Sequence, residues 1–360
     1  MVFRARHNAG IWARSRAAGG QDVAARSAVL GKVVEKMLTK DPRQRISSAK
    51  FANELLQPGS GGREITPFSD PLLGSLSGVS LHEIKAVHKL RGELDGDDVD
   101  LSEIPDHIGG GVALLRIVRA SIPSVEYIRT MLAAREKLGS DAIYLQIMEE
   151  RLSMSTLPGT VEAHAATWQT NDWVATDAEG DLLVYLRWGA TNPSRVLAEF
   201  SLERYARWLP YRSEARAMLL DQLSRRARKV VCHRILIDVK GVSFAHRKLL
   251  PYTKEFISGQ GNATNSVFAA AGYILNISSV ASSLYNTAAK VFQNEGQRRR
   301  TTLMSGDPFD SANFAARFER SALPSDIGGE LKTGADGHCC LGVEQPALCD
   351  EDAVWAKYVS

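Results

Sequence analysis

The residues in this chain that could do chemistry are histidines, cysteines and two serines between glycines, but their spacing fits neither a catalytic nor a zinc motif. His82 and His88 are six residues apart, whereas a zinc protease needs its two histidines one helical turn apart. Gly74–Gly78 carries a leucine where the nucleophilic serine of a GxSxG turn would stand. His338–Cys340 and Cys349 lack the CxxC spacing of a structural zinc site. The sequence therefore predicts no enzyme activity, no metal site and no cofactor.

Two charged features remain to be interpreted. Asp238 ends the apolar run Ile235–Ile237, in a position where catalytic acids often lie, but no base or nucleophile can be paired with it from the sequence. Arg298–Arg300 could hold a phosphate through bidentate hydrogen bonds. The same cluster could instead attract the chain to an anionic leaflet, or could be a solvated basic turn. The residues alone leave these three interpretations open.

The composition is that of an ordinary globular protein. The 360 residues are 44% hydrophobic and 24% charged, and the formal net charge is +3. So balanced a charge gives no indication of nucleic-acid binding. The four cysteines form no disulfide framework and indicate a reducing compartment. The sequence contains no long apolar run, so we expect no transmembrane helix.

Four apolar runs separated by helical stretches predict a mostly parallel sheet. The predicted strands are 182–187, 232–238, 272–277 and 301–305. Because the runs are continuously apolar, we expect both faces of the sheet to be covered. Two helices are predicted over 201–208 and 213–228, and an amphipathic helix over 280–292.

A short N-terminal segment resembles the end of a protein kinase C-lobe. Residues 37–47 read Met-Leu-Thr-Lys-Asp-Pro-Arg-Gln-Arg-Ile-Ser, which is similar to the last helical motif of that family. The chain has no glycine-rich loop followed by a lysine, no His-Arg-Asp loop and no Asp-Phe-Gly, and phosphoryl transfer needs these parts. The segment is interpreted as the remnant of a truncated kinase fusion or as an unrelated pair of helices. Neither could phosphorylate a substrate.

Two stretches of the remaining chain carry a second resemblance, Cys232–Ser243 and Leu323–Leu331, where Leu-Pro precedes Gly-Gly. They are similar to the CRAL-TRIO lipid-binding family of phosphatidylinositol and phosphatidylcholine transfer proteins, and the resemblance spans 114–331. Leu115–Ala120 is similar to the helical N-terminal part of the family, although Ala134-Arg135 stand where the family has tryptophan and arginine. The resemblance implies an α/β fold. A mostly parallel sheet would carry helices on one face and a lipid cavity, closed by a gate helix, on the other.

This resemblance divides the chain into six parts. They are a disordered start (1–30), a helical segment resembling a kinase C-lobe end (31–57), a linker (58–80), a helical N-terminal module (81–175), the CRAL-TRIO lipid-binding domain (176–331) and a disordered tail (332–360).

The resemblance also implies which residues contact the ligand. The gate helix is placed at Val280–Phe292, where an apolar stripe recurs at helical spacing, although periodicity alone would make it a core helix. Small residues at Ala269–Gly272 leave room beside the strand. The predicted ligand contacts are Tyr273, Leu275, Val280, Leu284, Ala288 and Phe292, with Arg299 and Arg300 at the headgroup.

Headgroup preference depends on two positions. In the phosphatidylinositol-binding members a glutamate and a lysine meet the inositol phosphate. Val267 stands at the glutamate position and Arg299 at the lysine position. Arginine can hold a phosphate, whereas valine cannot orient one. Phosphatidylinositol, phosphatidylcholine and another hydrophobic ligand therefore stay open as candidates.

The function implied is the binding of a single phospholipid or similar hydrophobic ligand in an internal cavity, and its transfer or presentation between membranes. We expect a cytoplasmic protein that associates transiently with a membrane surface and binds no nucleic acid. The alternative is an interaction or regulatory module of a truncated kinase fusion, with the same fold but without lipid transfer, in which side chains fill the cavity.

Overall fold

The computed structural model describes residues 72–96, 99, 101, 104–120, 125–166, 170–255, 269–278, 282, 285, 298–331 and 345–359. The chain divides into two compact units, Met1–Pro67 with Leu94–Pro105 and Phe68–Glu93 with Asp106–Ser360. The sheet and all the sites discussed below belong to the second unit. The predicted disordered start and the kinase-like segment lie outside the described residues.

Helices occupy the first part of the described chain, and strands alternate with helices after it. The elements are α1 (Leu81–Gly96), α2 (Asp106–Gly109), α3 (Gly111–Arg119), α4 (Val125–Leu138), α5 (Ser140–Glu149), α6 (Thr160–Ala165), β1 (Thr170–Thr176), β2 (Leu182–Leu186), α7 (Pro193–Glu199), α8 (Leu202–Ala227), β3 (His233–Asp238), α9 (Leu250–Glu255), β4 (Ala269–Leu275), β5 (Thr301–Leu303), α10 (Ala312–Ala315) and α11 (Glu351–Val359). Short 3-10 turns lie at Leu73–Ser75, Trp188–Ala190, Phe244–Leu249, Pro308–Asp310, Arg320–Ala322 and Ser325–Ile327.

The strands form one sheet in the order β1-β2-β3-β4-β5. The four strands β2 to β5 pair in parallel, and β1 adds an antiparallel edge. The prediction of a mostly parallel sheet is therefore confirmed. β4 begins at Ala269, earlier than the predicted 272, and β1 was not predicted.

The long helix α8 joins the helical part of the chain to the sheet. It is one helix of 26 residues, where the sequence predicts two, although Pro210 lies inside it. An internal proline removes one hydrogen bond and costs about 3 kcal/mol. α8 packs against α2, α3, α5, α9 and α11, and we attribute the continuous helix to this burial of both its halves.

Two buried arginines tie the preceding helices to α8. The guanidinium of Arg116 donates to the Leu220 carbonyl at 2.8 Å, to the Ser224 hydroxyl at 2.7 Å and to the Val231 carbonyl at 3.1 Å. Arg135 donates to both carboxylate oxygens of Glu214, at 2.5 and 3.1 Å. The arginine of the Ala134-Arg135 pair therefore anchors α4 to α8.

The segment after β5, residues 304–331, covers one face of the sheet and is called the covering segment below. Its aromatic and aliphatic side chains, which include Phe314 and Phe318, pack in one cluster with Tyr185 and Leu236. The Leu-Pro and Gly-Gly residues that carried the resemblance end this segment. Gly328 has a φ of +83°, and a Cβ on Gly329 would overlap with the carbonyl oxygen of Leu323. Only glycine fits these two positions without strain.

Three predicted domain boundaries differ from the structure. β1 belongs to the sheet, although its residues fall within the predicted helical module 81–175. Within the predicted linker, Leu73 and Leu76 are buried and the Ser77 amide donates to the Arg228 carbonyl at 2.7 Å. Within the predicted disordered tail, α11 packs against α8 because Val354 is buried there. In the linker and in the tail, the described stretches contain apolar residues that are buried.

Candidate functional site

The two faces of the sheet are buried to different degrees. Side chains of paired residues in parallel strands point to the same face. Leu236 pairs with Tyr185 and with Tyr273 in one row that faces the covering segment. Ile235 and Ile237 alternate with Leu236, so they point the opposite way, and both are only half-buried. The candidate binding surface is therefore the face opposite the covering segment.

This surface, called the half-buried face below, is made of two rows across the strands. Its members are Val184, Ile235, Gly272 and Thr301 in one row, and Leu186, Ile237, Ile274 and Leu303 in the other. All are apolar apart from the Thr301 hydroxyl, and six of the eight are half-buried, since Val184 and Ile274 are buried. A hydrocarbon chain lying on these two rows would meet aliphatic groups, and none of the eight residues carries a charge.

Gly272 has no side chain, so it leaves a gap in the layer of side chains at the centre of the half-buried face. A Cβ placed on Gly272 would meet the Thr301 hydroxyl oxygen at 3.8 Å, which is an ordinary van der Waals distance. The position could therefore hold a side chain as far as the described neighbours are concerned, but the sequence leaves it empty.

Tyr273 and Leu275, two of the predicted ligand contacts, lie on the covered face. The ring of Tyr273 packs edge-to-face on Phe314 and Phe318, with centroids 5.5 and 5.3 Å apart. Leu275 is 1% exposed in the same cluster. The structure gives both residues a packing role, and it brings Gly272 and Ile274, their neighbours in sequence, to the half-buried face instead.

The predicted gate contacts Val280, Leu284, Ala288 and Phe292 lie outside the described residues, as does Val267. Their roles stay predictions.

Arg300 holds the edge of the sheet together. Its guanidinium donates to the carbonyl of Ala269 at 2.9 Å, and its own carbonyl accepts from the amide of Gly272 at 2.9 Å. Burial lowers the pKa of this half-buried arginine. Arg298 and Arg299, in contrast, are exposed immediately before β5. The structure thus separates the basic cluster into a half-buried arginine, which joins β4 to β5, and two exposed arginines.

Asp238 also has a structural role, because its carboxylate joins neighbouring segments at the carboxyl ends of the strands. Its carboxylate accepts from the Lys240 amide at 2.9 Å, from the side-chain amide of Asn276 at 2.8 Å and from the Tyr185 hydroxyl at 3.3 Å. Burial and the nearby Asp238 charge raise the pKa of Tyr185, so the phenol stays protonated as a donor. These three donors satisfy the hydrogen-bonding needs of the Asp238 carboxylate, and none of them is a nucleophile or a base positioned for reaction.

A second charged cluster, at the amino ends of the strands, was not singled out from the sequence. Oxygen atoms of Asp177, Glu179 and Asp181 lie within 4.8 Å of one another, a spacing that could hold a divalent cation. Arg234 pairs with all three carboxylates, and Arg317 pairs with Asp177 at 3.2 Å and Glu179 at 2.7 Å. Two guanidinium groups therefore supply the positive charge that a metal would otherwise provide.

The pKa values in this cluster follow from burial and from the arginines. Burial raises the pKa of Asp181. The hydrogen bond from Arg317 lowers the pKa of the exposed Glu179. Only the alternation of acids in Asp177–Asp181 marks this turn in sequence, and the two arginines that complete it lie far along the chain.

Comparison with known proteins supports the fold. No protein-family model matches the sequence, and no curated protein matches it. Solved structures do match, and one of them is the crystal structure of Sfh5, with a TM-score of 0.50 and 14% identity. The match covers 76% of this chain and 96% of that chain, and Sfh5 is a CRAL-TRIO protein of the Sec14 family. A likeness at this identity concerns the fold alone, and the four-stranded parallel sheet with its helices is consistent with a CRAL-TRIO-like fold.

None of the helices in the described part of the chain is long and apolar enough to cross a membrane.

Proposed function

We propose that this chain binds one phospholipid or similar hydrophobic ligand against the half-buried face of its sheet, and that it transfers or presents this ligand between membranes. The observation that carries the proposal is the contrast between the two faces. Tyr185, Leu236 and Leu275 are at most 1% exposed in the cluster that they form with Phe314 and Phe318, whereas Ile235 and Ile237, on the same strand as Leu236, are half-buried.

The likeness to Sfh5, a Sec14-like lipid-binding protein, supports a lipid as the ligand. The aliphatic rows of the half-buried face suit an acyl chain, because moving such a chain from a bilayer to this surface exchanges one apolar environment for another. The net driving force of that exchange is small. Loading and release can therefore both occur, as transfer requires.

Polar groups must then select the headgroup. Arg299 is exposed at the amino end of β5, beside the row that contains Thr301 and Gly272. A guanidinium there can bind a phosphate through two parallel hydrogen bonds. We assign to it the phosphate of the ligand and assign no catalytic step to any residue of the chain.

Native mass spectrometry of the purified full-length chain tests the binding. We expect a population of protein carrying the mass of a single lipid, and an increase of that population after incubation with phosphatidylcholine and phosphatidylinositol vesicles. Protein that carries no lipid after purification and takes up none from either kind of vesicle would contradict the proposal. That result would favour the interaction module, in which side chains fill the space above the sheet.

A further inference from the structure

The chain between β3 and the end of α9 exposes large apolar side chains. Val242 is 47% exposed, Phe244 is 77% exposed and Leu250 is 60% exposed. A single exposed apolar residue needs no explanation, but three within nine positions form a patch that does. These residues lie in or beside the 3-10 turn Phe244–Leu249.

The geometry of the turn explains why these apolar side chains are exposed together. Residues three apart in a 3-10 helix lie in one row. His246 and Leu249 form the inward row, Tyr252 continues it in the first turn of α9, and all three are buried. Phe244, Arg247 and Leu250 form a row that is exposed throughout. The inward row anchors the turn in the protein, so the outward row is held in place rather than being a loose loop.

The charged residues within 239–254 are all basic. They are the exposed Lys240, Arg247, Lys248 and Lys254, and the stretch is flanked by the buried Asp238 and the half-buried Glu255. The guanidinium of Arg247 lies 4.1 Å from the centre of the Phe244 ring, which places a cation directly beside the most exposed aromatic group. The whole chain has a net charge of only +3, so four positive charges within 15 consecutive residues are a local concentration.

We propose that this turn, defined by Val242, Phe244 and Leu250 with their basic neighbours, is the surface by which the chain docks on an anionic lipid bilayer. Phe244 and Leu250 would enter the boundary between headgroups and acyl chains, while Arg247 and Lys248 bind lipid phosphates. Apolar side chains between exposed cations suit a membrane interface. The turn follows directly from Ile237 of the half-buried face, through Asp238 and Gly241, so docking here would bring a bilayer to the carboxyl end of that strand.

This inference rests on the proposed function in one respect, because a protein that exchanges lipid must meet a bilayer. Its test is nevertheless separate. Flotation of the full-length chain with phosphatidylcholine vesicles, with and without phosphatidylserine, measures docking. Native mass spectrometry of the same samples measures the bound lipid independently.

The decisive variant is Phe244→Glu with Leu250→Glu. Because it replaces two exposed side chains, we expect unchanged urea unfolding and binding to phosphatidylserine vesicles at least about tenfold weaker than wild type. The matched control is Leu81→Glu with Leu145→Glu, which changes two leucines that are 67% and 45% exposed on other helices. The control is expected to bind as wild type.

A second variant tests the charges. Arg247→Gln with Lys248→Gln should lose about fivefold in affinity for anionic vesicles per charge removed, and should lose little for neutral ones. Arg207→Gln, an exposed arginine of α8 paired with Glu203, should not change the vesicle preference.

The outcomes separate the two proposals. Loss of vesicle binding by the Phe244 and Leu250 variant, with or without a bound lipid in native mass spectra, supports docking at this turn. Wild-type binding by that variant, or wild-type protein that binds no anionic vesicle, overturns it. If sedimentation shows a wild-type dimer that Phe244→Glu dissociates and no vesicle binding, the surface is an interface between two copies of the chain and the docking proposal is wrong.

Discussion

Gly189 and Lys240 bring the ends of β2 and β3 into backbone contact. A Cβ on Gly189 would overlap with the carbonyl oxygen of Lys240, and a Cβ on Gly241 would lie 3.0 Å from the carbonyl oxygen of Gly189. Gly241 also has a φ of +92°. Because Gly189 and Gly241 have no side chains, the two backbone segments can approach each other at the carboxyl edge of the sheet. This contact lies next to Asp238 and precedes the exposed turn.

Replacing Gly189 with alanine should destabilise the fold. The added Cβ can be placed only if the backbone of the Trp188–Ala190 turn or of Val239–Gly241 moves, because the atom it meets is a main-chain carbonyl. We expect the free energy of unfolding in urea to fall by about 2 kcal/mol or more. The control is Gly92→Ala on α1, where no heavy atom lies within 4 Å of the new Cβ. That variant should be unchanged or more stable by about 0.5–1 kcal/mol.

Replacing Glu214 with glutamine should be strongly destabilising. Arg135 and Glu214 are both at least 96% buried and hydrogen-bonded to each other, and His107 lies 2.7 Å from the same carboxylate. Glutamine would leave the buried Arg135 with only the exposed Asp141, at 2.8 Å, as an anionic partner, and losing the buried partner costs about 3 kcal/mol. Glu199→Gln, which breaks an exposed pair with Arg195, should cost less than about 0.5 kcal/mol. Equal losses in the two variants would show that the buried network does not stabilise the fold.

The same network predicts a dependence of stability on pH. Burial alone would raise the pKa of Glu214, but hydrogen bonds from His107 and Arg135 outweigh it and hold the pKa below its ordinary value. A lowered pKa in the folded state means that the contribution of Glu214 is fully present above its unfolded pKa of about 4.3 and is lost as the pH falls through the folded value. The unfolding free energy of wild type should therefore fall more steeply below about pH 4.3 than that of Glu214→Gln. Parallel curves would contradict this assignment.

Strand prediction succeeded where the sequence was continuously apolar. β2 and β3 were placed within one residue at each end, because runs such as Ile235–Ile237 have few other uses than a buried strand. β1 was missed because Asn171 and Asp172 are residues that strands disfavour. The start of β4 was missed because alanine, which fills Ala269–Ala271, has a low strand propensity. Pairing with β3 and the hydrogen bond from Arg300 to the Ala269 carbonyl outweigh this propensity.

The face on which each strand residue lies could not be predicted. A strand alternates its faces with a period of two, so the sequence Gly272-Tyr273-Ile274-Leu275 contains two possible sets of ligand contacts. Phe314 and Phe318 decide between the sets by covering Tyr273, and they lie about forty residues later in the chain. Likewise, nothing near Arg300 in sequence indicates that its guanidinium is used by the Ala269 carbonyl.

Filling the centre of the half-buried face should reduce lipid binding. Gly272→Leu adds a side chain that points to that face, and the described neighbours leave room for its Cβ. We expect the fold to be retained and the lipid-bound fraction in native mass spectra to fall several-fold, because the leucine occupies space that an acyl chain would use. Thr302→Leu is the control, since Thr302 pairs with Tyr273 and points to the other face. If both variants carry as much lipid as wild type, the half-buried face is not the binding surface.

Removing the charge of Arg299 should reduce phospholipid transfer. Arg299 is predicted to hold the phosphate of the ligand, and its exposed position before β5 is compatible with that role. A charge-assisted hydrogen bond to phosphate contributes about 1.5–3 kcal/mol, so Arg299→Ala should load less phospholipid and should transfer about tenfold less or lower in a vesicle-to-vesicle assay. Arg298→Ala removes the same charge from the adjacent exposed position, and therefore controls for a general attraction to anionic vesicles. An equal effect of the two substitutions would assign the pair to the membrane surface, and no effect of either would remove Arg299 from the headgroup site.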